Sequence, residues 1–431
     1  MNKESYLHLS KINFMKICQL LVMFFLGITT SHAQTQRELY DRSIKAYENK
    51  DYKSFLKLTT TLDSLRPFHP TYTYNLASAN ALNQNWEEAL VALRTMVLMN
   101  NTTDFENDGD FATLKQDEGF RSLLTLKSAQ SKVVATSKPE VTLSEKELHP
   151  EGLVYLPISK IWLASSVRKR KIVAFDIKTG QCTDWLKDNN MLSVMALKSD
   201  AKEQFLWIAT AAFPEMEGYD KALNGKSEIL KIDSKTKRIE KRFTVEGTHV
   251  FGDLLVAKNG TVYISDSAKP IIYKIEKDVI TAFVSFEKDG YNLQGLAFND
   301  TQSKLFVADY LKGITVIDLP TKSKTTLAFP EETSPKGIDG LVFYNNTLIT
   351  IQNGVKPIRI LQFQLNESQT EIVGSKVLDN NRPEFNEPAL ATVVGEKLFF
   401  FANAPWNAYD QNGVMDLNKV TNPILFSCKL N

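Results

Sequence analysis

A polar or acidic residue, often followed by glycine and then by a short apolar run, recurs six times from residue 151 onward. The copies are Glu151-Gly152-Leu153-Val154-Tyr155, Met195-Ala196-Leu197, Gly252-Asp253-Leu254-Leu255-Val256, Gln294-Gly295-Leu296-Ala297-Phe298, Asp339-Gly340-Leu341-Val342-Phe343 and Glu387-Pro388-Ala389-Leu390-Ala391. Their spacing is roughly 40–60 residues, the range of a propeller blade. After most copies come a second apolar strand and a third with alternating pattern, as in Lys304-Leu305-Phe306-Val307-Ala308 and Gly313-Ile314-Thr315-Val316-Ile317. The expected fold is therefore mainly β, a six-bladed propeller over residues 140–431, with blades at 149–187, 193–245, 249–287, 292–329, 337–379 and 386–431. The last blade has three clear strands. Glu140-Val141-Thr142-Leu143-Ser144 lies ahead of the first blade without a partner, so it is expected to supply the missing outer strand and remove a free edge.

The region before the propeller has a different period. Tyr52 and Trp86 sit in equivalent settings 34 residues apart, and Leu56 with Leu90 and Leu62 with Met96 repeat the offset. That is the tetratricopeptide period. Residues 34–130 are expected to be helical, resembling a short tetratricopeptide pair, with Ala129 to Pro139 as a linker. Asp104 to Gly109 looks superficially like a calcium loop, but loop position twelve, which needs Glu, is Lys115. It reads as an acidic turn ahead of a helix.

Lys11 and Lys16, an apolar stretch from Ile17 to Ile28, and Ser31-His32-Ala33 form a signal-peptide pattern over residues 1–33, with cleavage after Ala33. The expectation is a periplasmic or secreted protein without a transmembrane anchor once the signal is removed. Cys182 and Cys428 would remain, and their spacing gives no reason to pair them. The net charge of +1 at 43% hydrophobic and 23% charged residues is that of a soluble globular chain. It offers no attraction to nucleic acid or to an anionic membrane.

In a propeller, the loops entering the innermost strands share one face with the loops joining second and third strands. The first set brings His149, Glu151, His249, Asp253, Gln294, Asp339 and Glu387 to that face. The second brings Asp266, Asp309, Tyr310, Asn353 and Trp406, and an insertion from Phe213 to Lys226 is placed to act as a lid. Carboxylates driven toward one axis repel each other. A hard cation relieves that repulsion, and oxygen-only donors favour calcium over zinc. Each residue also has a structural alternative: Asp266 and Asp309 as backbone-amide acceptors, His149 and His249 as satisfied or solvated side chains, Trp406 as packing.

The order of these motifs resembles the senescence-marker-protein, gluconolactonase and paraoxonase superfamily of six-bladed calcium proteins. In that family Glu-Gly opens the first blade, as Glu151-Gly152 does here, and a later Asp-Gly supplies a metal ligand and the catalytic carboxylate, as at Asp339-Gly340. The third blade of the family carries Phe-Asn-Asp where this chain has Phe251-Gly252-Asp253, and the fourth carries Asn-Gly where it has Gln294-Gly295. The resemblance implies calcium held by Glu151, Gln294 and Asp339, with Glu387 compensating for Gly252. It implies hydrolysis of a lactone or ester by metal-activated water, with Asp339 or a His249–Asp253 pair as general base. His149, Asp266, Asp309, Tyr310, Asn353 and Trp406 would contact a small-molecule substrate. The other reading is a non-catalytic propeller that binds a small ligand or a protein, its helical repeats docking a protein partner.

Overall fold

The computed structural model describes residues 36–430 apart from Ala389. The signal-like segment 1–33 lies outside the described residues. Among those described, no helix is long and apolar enough to cross a membrane. The chain divides into two compact units, one of residues up to 96 together with 103–124, the other of 97–102 and 125 onward.

The first unit is helical. It contains α1 (36–48), α2 (Tyr52–Leu65), α3 (Pro70–Leu82) and most of α4 (Trp86–Met99). Tyr52 and Trp86 each open a helix, which is what their equivalent settings in the sequence reflect. Asp51 caps α2 by accepting the Ser54 amide, and Pro70 stands at the first helical position of α3, where no amide donor is needed. The acidic turn ends in Asp108, which caps a short 3₁₀ helix, Gly109–Leu114, and accepts from the Tyr74 hydroxyl at 2.5 Å. The carboxylates of Asp104 and Asp108 both accept hydrogen bonds.

The second unit is a six-bladed β-propeller. Its four-stranded blades begin with the strands Leu153–Leu156, Ser193–Ser199, Phe251–Val256, Leu293–Phe298, Ile338–Tyr344 and Ala391–Val394. Each first strand contacts the first strand of the next blade, and the sixth contacts the first, so the ring is closed. The recurring sequence phrase is this ring. Hydrophobic residues fill the six spaces between adjacent sheets: Val154, Leu163 and Val194 between blades one and two, for example, and Phe399, Leu425 and Leu153 between blades six and one. Both faces of the middle strands are thus covered, and Thr347–Gln352 is buried at every position. Such strands read as continuous apolar runs rather than alternating ones.

Ring closure comes from Lys138–Thr142, which pairs antiparallel with Ile424–Lys429, Val141 opposite Leu425. The pairing lies two residues N-terminal of the expected 140–144. Glu140 accepts from the Ser427 hydroxyl and pairs with Lys397 at 3.0 Å, fixing that register. The expected linker is partly structured as well. Val134 and Ala135 add a short strand to the outer edge of blade five, opposite Asn380 and Asp379. Cys182 and Cys428 are both free thiols.

Candidate functional site

The glycines of the recurring phrase matter for what lies at the centre of the ring. A Cβ on Gly295 would stand 2.5 Å from the Asp339 carbonyl and 2.6 Å from the Leu341 amide. One on Gly152 would stand 2.6 Å from the Met195 carbonyl. Both positions therefore need glycine so that the innermost strand of the next blade can approach closely. Turn geometry is not the reason. That approach draws the residue before each glycine toward the axis.

What gathers there is a cavity of about 370 Å³ to which every blade contributes. Glu151, Met195, Gly252, Gln294, Asp339 and Glu387 line it from the entrances of blades one to six. Phe213, Ser267, Ala268, Tyr310, Asn353 and Trp406 line it from the loops after second strands, and Val250, Asn292 and Leu390 complete the wall. Among the described residues, none that lines the cavity is Lys, Arg or His.

Two corners of the cavity are built differently. In one, Tyr310 donates its hydroxyl to Asn353 Oδ1 at 3.1 Å, and Asn353 Nδ2 donates to Asp339 Oδ2 at 2.6 Å. Asn353 Nδ2 also faces the Pro388 carbonyl at 3.3 Å. This chain orients Asp339 and leaves Oδ1 of the carboxylate uncommitted. In the other corner the Trp406 indole N–H donates to Glu151 Oε1. The ring of Phe213 meets that of Trp406 edge to face at 5.7 Å.

Behind Glu151 lies His149, fully buried, with Nδ1 2.8 Å from the Tyr409 hydroxyl and its ring edge-on to Trp406. Burial, reinforced by the charge of Arg168, lowers its pKa to about 3, so the imidazole is neutral. Its Nε2 has no hydrogen-bond partner and lies 3.9 Å from Glu151 Oε1.

The acids of the cavity are all pushed toward the protonated form. Burial raises Asp339 to about 6, against the Asn353 hydrogen bond and with a further push from Asp253. Burial and the charge of Asp339 raise Glu387 to about 7. Glu151 is held well above the usual carboxylate range, first by burial and then by Asp339. Near neutral pH, Asp339 is mainly ionised and Glu387 is close to half-titrated.

Six of the residues singled out from the sequence thus meet at one cavity besides Glu387: Glu151, Gln294, Asp339, Tyr310, Asn353 and Trp406. The others are spent on the fold. Asp253 accepts the Leu254 amide at 2.8 Å and the Leu296 amide at 2.9 Å, tying blade three to blade four. His249 does not pair with Asp253. Its Nδ1 lies 2.6 Å from Asp266 Oδ2, and its Nε2 lies 2.9 Å from the Glu246 carbonyl. Asp266 accepts the amides of Val250, Ala268 and Lys269, and Asp309 those of Tyr291, Leu311 and Lys312. Both acids therefore tie a turn after a second strand to the entrance of the same blade, and neither lines the cavity. His149 stands behind the wall.

Sequence reasoning passed over Asn292, whose Oδ1 accepts from Gln294 Nε2 at 2.5 Å, and Tyr409, the partner of His149. Alternation along the strand entrance, Asn292 and Gln294 on one face, was the available signal for the first. Tyr409 sits in the long connection between the second and third strands of blade six and carries no local signal. The blade-two insertion does supply Phe213 to the cavity, while Met216 packs on Leu192 and Ala212 beneath it.

The donor chemistry here suits calcium, and some of the expected donor atoms are already engaged. Among the described residues no three His, Cys, Asp or Glu side chains are grouped so that they could hold a metal ion. Glu151 and Asp339 each commit one oxygen, to Trp406 and Asn353. Gln294 turns its amide nitrogen to Asn292, and its Oε1 lies 3.3 Å from where a Gly252 Cβ would be.

No family model matches the chain, and no curated protein does. Solved structures do match. A PQQ-bound aldose sugar dehydrogenase from Streptomyces coelicolor is 15% identical, over 69% of this chain and 98% of that one, at a TM-score of 0.48. A virginiamycin B lyase from Staphylococcus aureus is 14% identical, over 68% of this chain and 100% of the other, at 0.46. A protein assigned as a gluconolactonase is 13% identical, over 69% and 92%, at 0.43. At such identities the likeness concerns the propeller fold, and residue roles do not transfer with it.

Proposed function

We propose that the cavity hydrolyses a small lactone or ester by direct attack of water, with Asp339 as general base and Glu387 as general acid. The observation that carries this reading is the placing of an oriented Asp339 and a second carboxyl, Glu387, in one cavity. Asp339 Oδ1 takes a proton from water, whose oxygen adds to the carbonyl carbon. The carbon–oxygen bond of the lactone or ester then breaks, and Glu387 protonates the departing oxygen, giving a hydroxy acid or an alcohol and an acid. Asn353 and Tyr310 keep Asp339 in place, and the pKa values of about 6 and about 7 suit a base and an acid working near neutrality. The blade-opening Glu151-Gly152 and Asp339-Gly340 motifs, read as a likeness to the lactonase superfamily, support the same substrate class. The signal-like segment supports activity outside the cytoplasm.

Asp339→Asn is expected to lower kcat/KM on γ- and δ-lactones and p-nitrophenyl esters by about 10²–10⁴-fold. Circular dichroism should be unchanged. Wild-type turnover by a folded Asp339→Asn protein would remove the assignment. Turnover by neither protein would favour the second reading, a binding propeller, which the commitment of His249 and Asp253 to structural contacts supports.

A further inference from the structure

The cavity has an uncompensated charge pattern. Glu151, Asp339 and Glu387 line it, no basic side chain does, and the chain as a whole is close to neutral, at +1. The negative potential is therefore local to the cavity. In most buried acidic sites an Arg or Lys answers the carboxylates. Here the imidazole of His149, 3.9 Å from Glu151 Oε1, is neutral, fully buried, and directs an unpartnered Nε2 toward the Glu151 corner. Glu151 itself is shielded from water and held by the indole N–H of Trp406. Two aromatic rings, Trp406 and Phe213, stand at that corner in an edge-to-face pair. A carboxylate beside aromatic rings, away from bulk water, is the surrounding that an organic ammonium ion prefers over a neutral molecule of the same shape. A hydrated inorganic ion gains less there, because it must exchange its water shell for a carboxylate with one oxygen already engaged by Trp406.

We infer that the Glu151 corner, with Trp406 and Phe213, selects a ligand carrying an organic ammonium group. This rests on reading the cavity as the substrate site, and makes the substrate class an ammonium-bearing ester or lactone. The charged end sits against Glu151 and the aromatic rings, and the carbonyl end reaches Asp339 and Glu387. The ionised acids of the cavity disfavour an anionic substrate.

The test is binding to the full-length mature protein by titration calorimetry, with choline as probe and 3,3-dimethylbutan-1-ol as its neutral counterpart of equal shape. Choline is expected to bind at least 10-fold more tightly than the alcohol. Glu151→Gln keeps the acceptor for Trp406 and is expected to abolish that preference while leaving the melting temperature within a few degrees. Trp406→Leu is expected to weaken choline binding by a similar factor. Equal affinity for choline and the alcohol would overturn the inference, and so would a preference that survives Glu151→Gln. A third arm titrates CaCl₂ alone, and tight calcium binding without choline binding would give the corner to an inorganic ion and overturn it too. These outcomes are independent of turnover. Choline binding without hydrolysis of choline esters keeps the ammonium site and removes the hydrolase, whereas hydrolysis of neutral lactones without choline binding does the reverse.

Discussion

Asp339 carries a cost that its role at the cavity explains. Its folded pKa, about 6, lies above the ordinary value because burial disfavours its charge. Below about pH 4 the carboxyl is protonated whether the chain is folded or not, and it contributes nothing to the pH dependence. Between there and about 6 the folded state holds the proton more tightly, so stability falls as pH rises, and above about 6 the penalty is complete. Asp339→Asn removes the titration, retains an acceptor for Asn353 and eases Glu387, which Asp339 pushes upward. The variant should be more stable than the parent by about 1–3 kcal/mol at pH 8 and equal to it at pH 4, as read by thermal melts across that range. A variant equally stable at both ends would show that Asp339 is not desolvated. His149 illustrates the reverse case: its setting was legible in the sequence only as a blade entrance. That it would lie behind Glu151 depends on Tyr409 and Trp406, 260 and 257 residues away.

At the level of the strand, the recurring glycines show what the repeat is for. Gly295 sits opposite backbone atoms of the neighbouring blade, so an added methyl cannot be accommodated by turning a side chain. Gly295→Ala should destabilise the propeller by about 1–3 kcal/mol and displace Asp339, lowering activity with it. Gly340→Ala meets only the Ile351 side chain, at 3.3 Å, and should cost less than half as much in chemical denaturation. Comparable losses would mean that the inner strands tolerate separation. The Gly after Glu151 and Gln294 could be noticed in the sequence as a regularity. Its physical reason, close approach of two backbones from different blades, exists only once the blades are arranged around an axis.

For the molecule as a whole, the closing strand joins residues almost 290 apart in sequence. Val141 packs there with Leu153, Trp162, Phe399 and Leu425, which belong to the first and last blades. Val141→Asp places a charge among them and should lower stability by about 2–4 kcal/mol, seen as an earlier and broader melt. An unchanged melt would show that the ring does not depend on this strand. The six-fold recurrence, the apolar strands and an unpaired strand ahead of the first blade can be found in the chain itself, because each depends on local composition and on spacing that sheets impose. The division of the acids could not. Glu151, Asp339 and Glu387 face the cavity, whereas Asp253, in a first strand, and Asp266 and Asp309, at the ends of second strands, are consumed by backbone amides. Which fate an acid meets depends on whether an unpaired amide lies within reach after folding: for Asp266 and Asp309 the folding of their own blade decides that, and for Asp253, which accepts from Leu296, the packing of one blade against the next does.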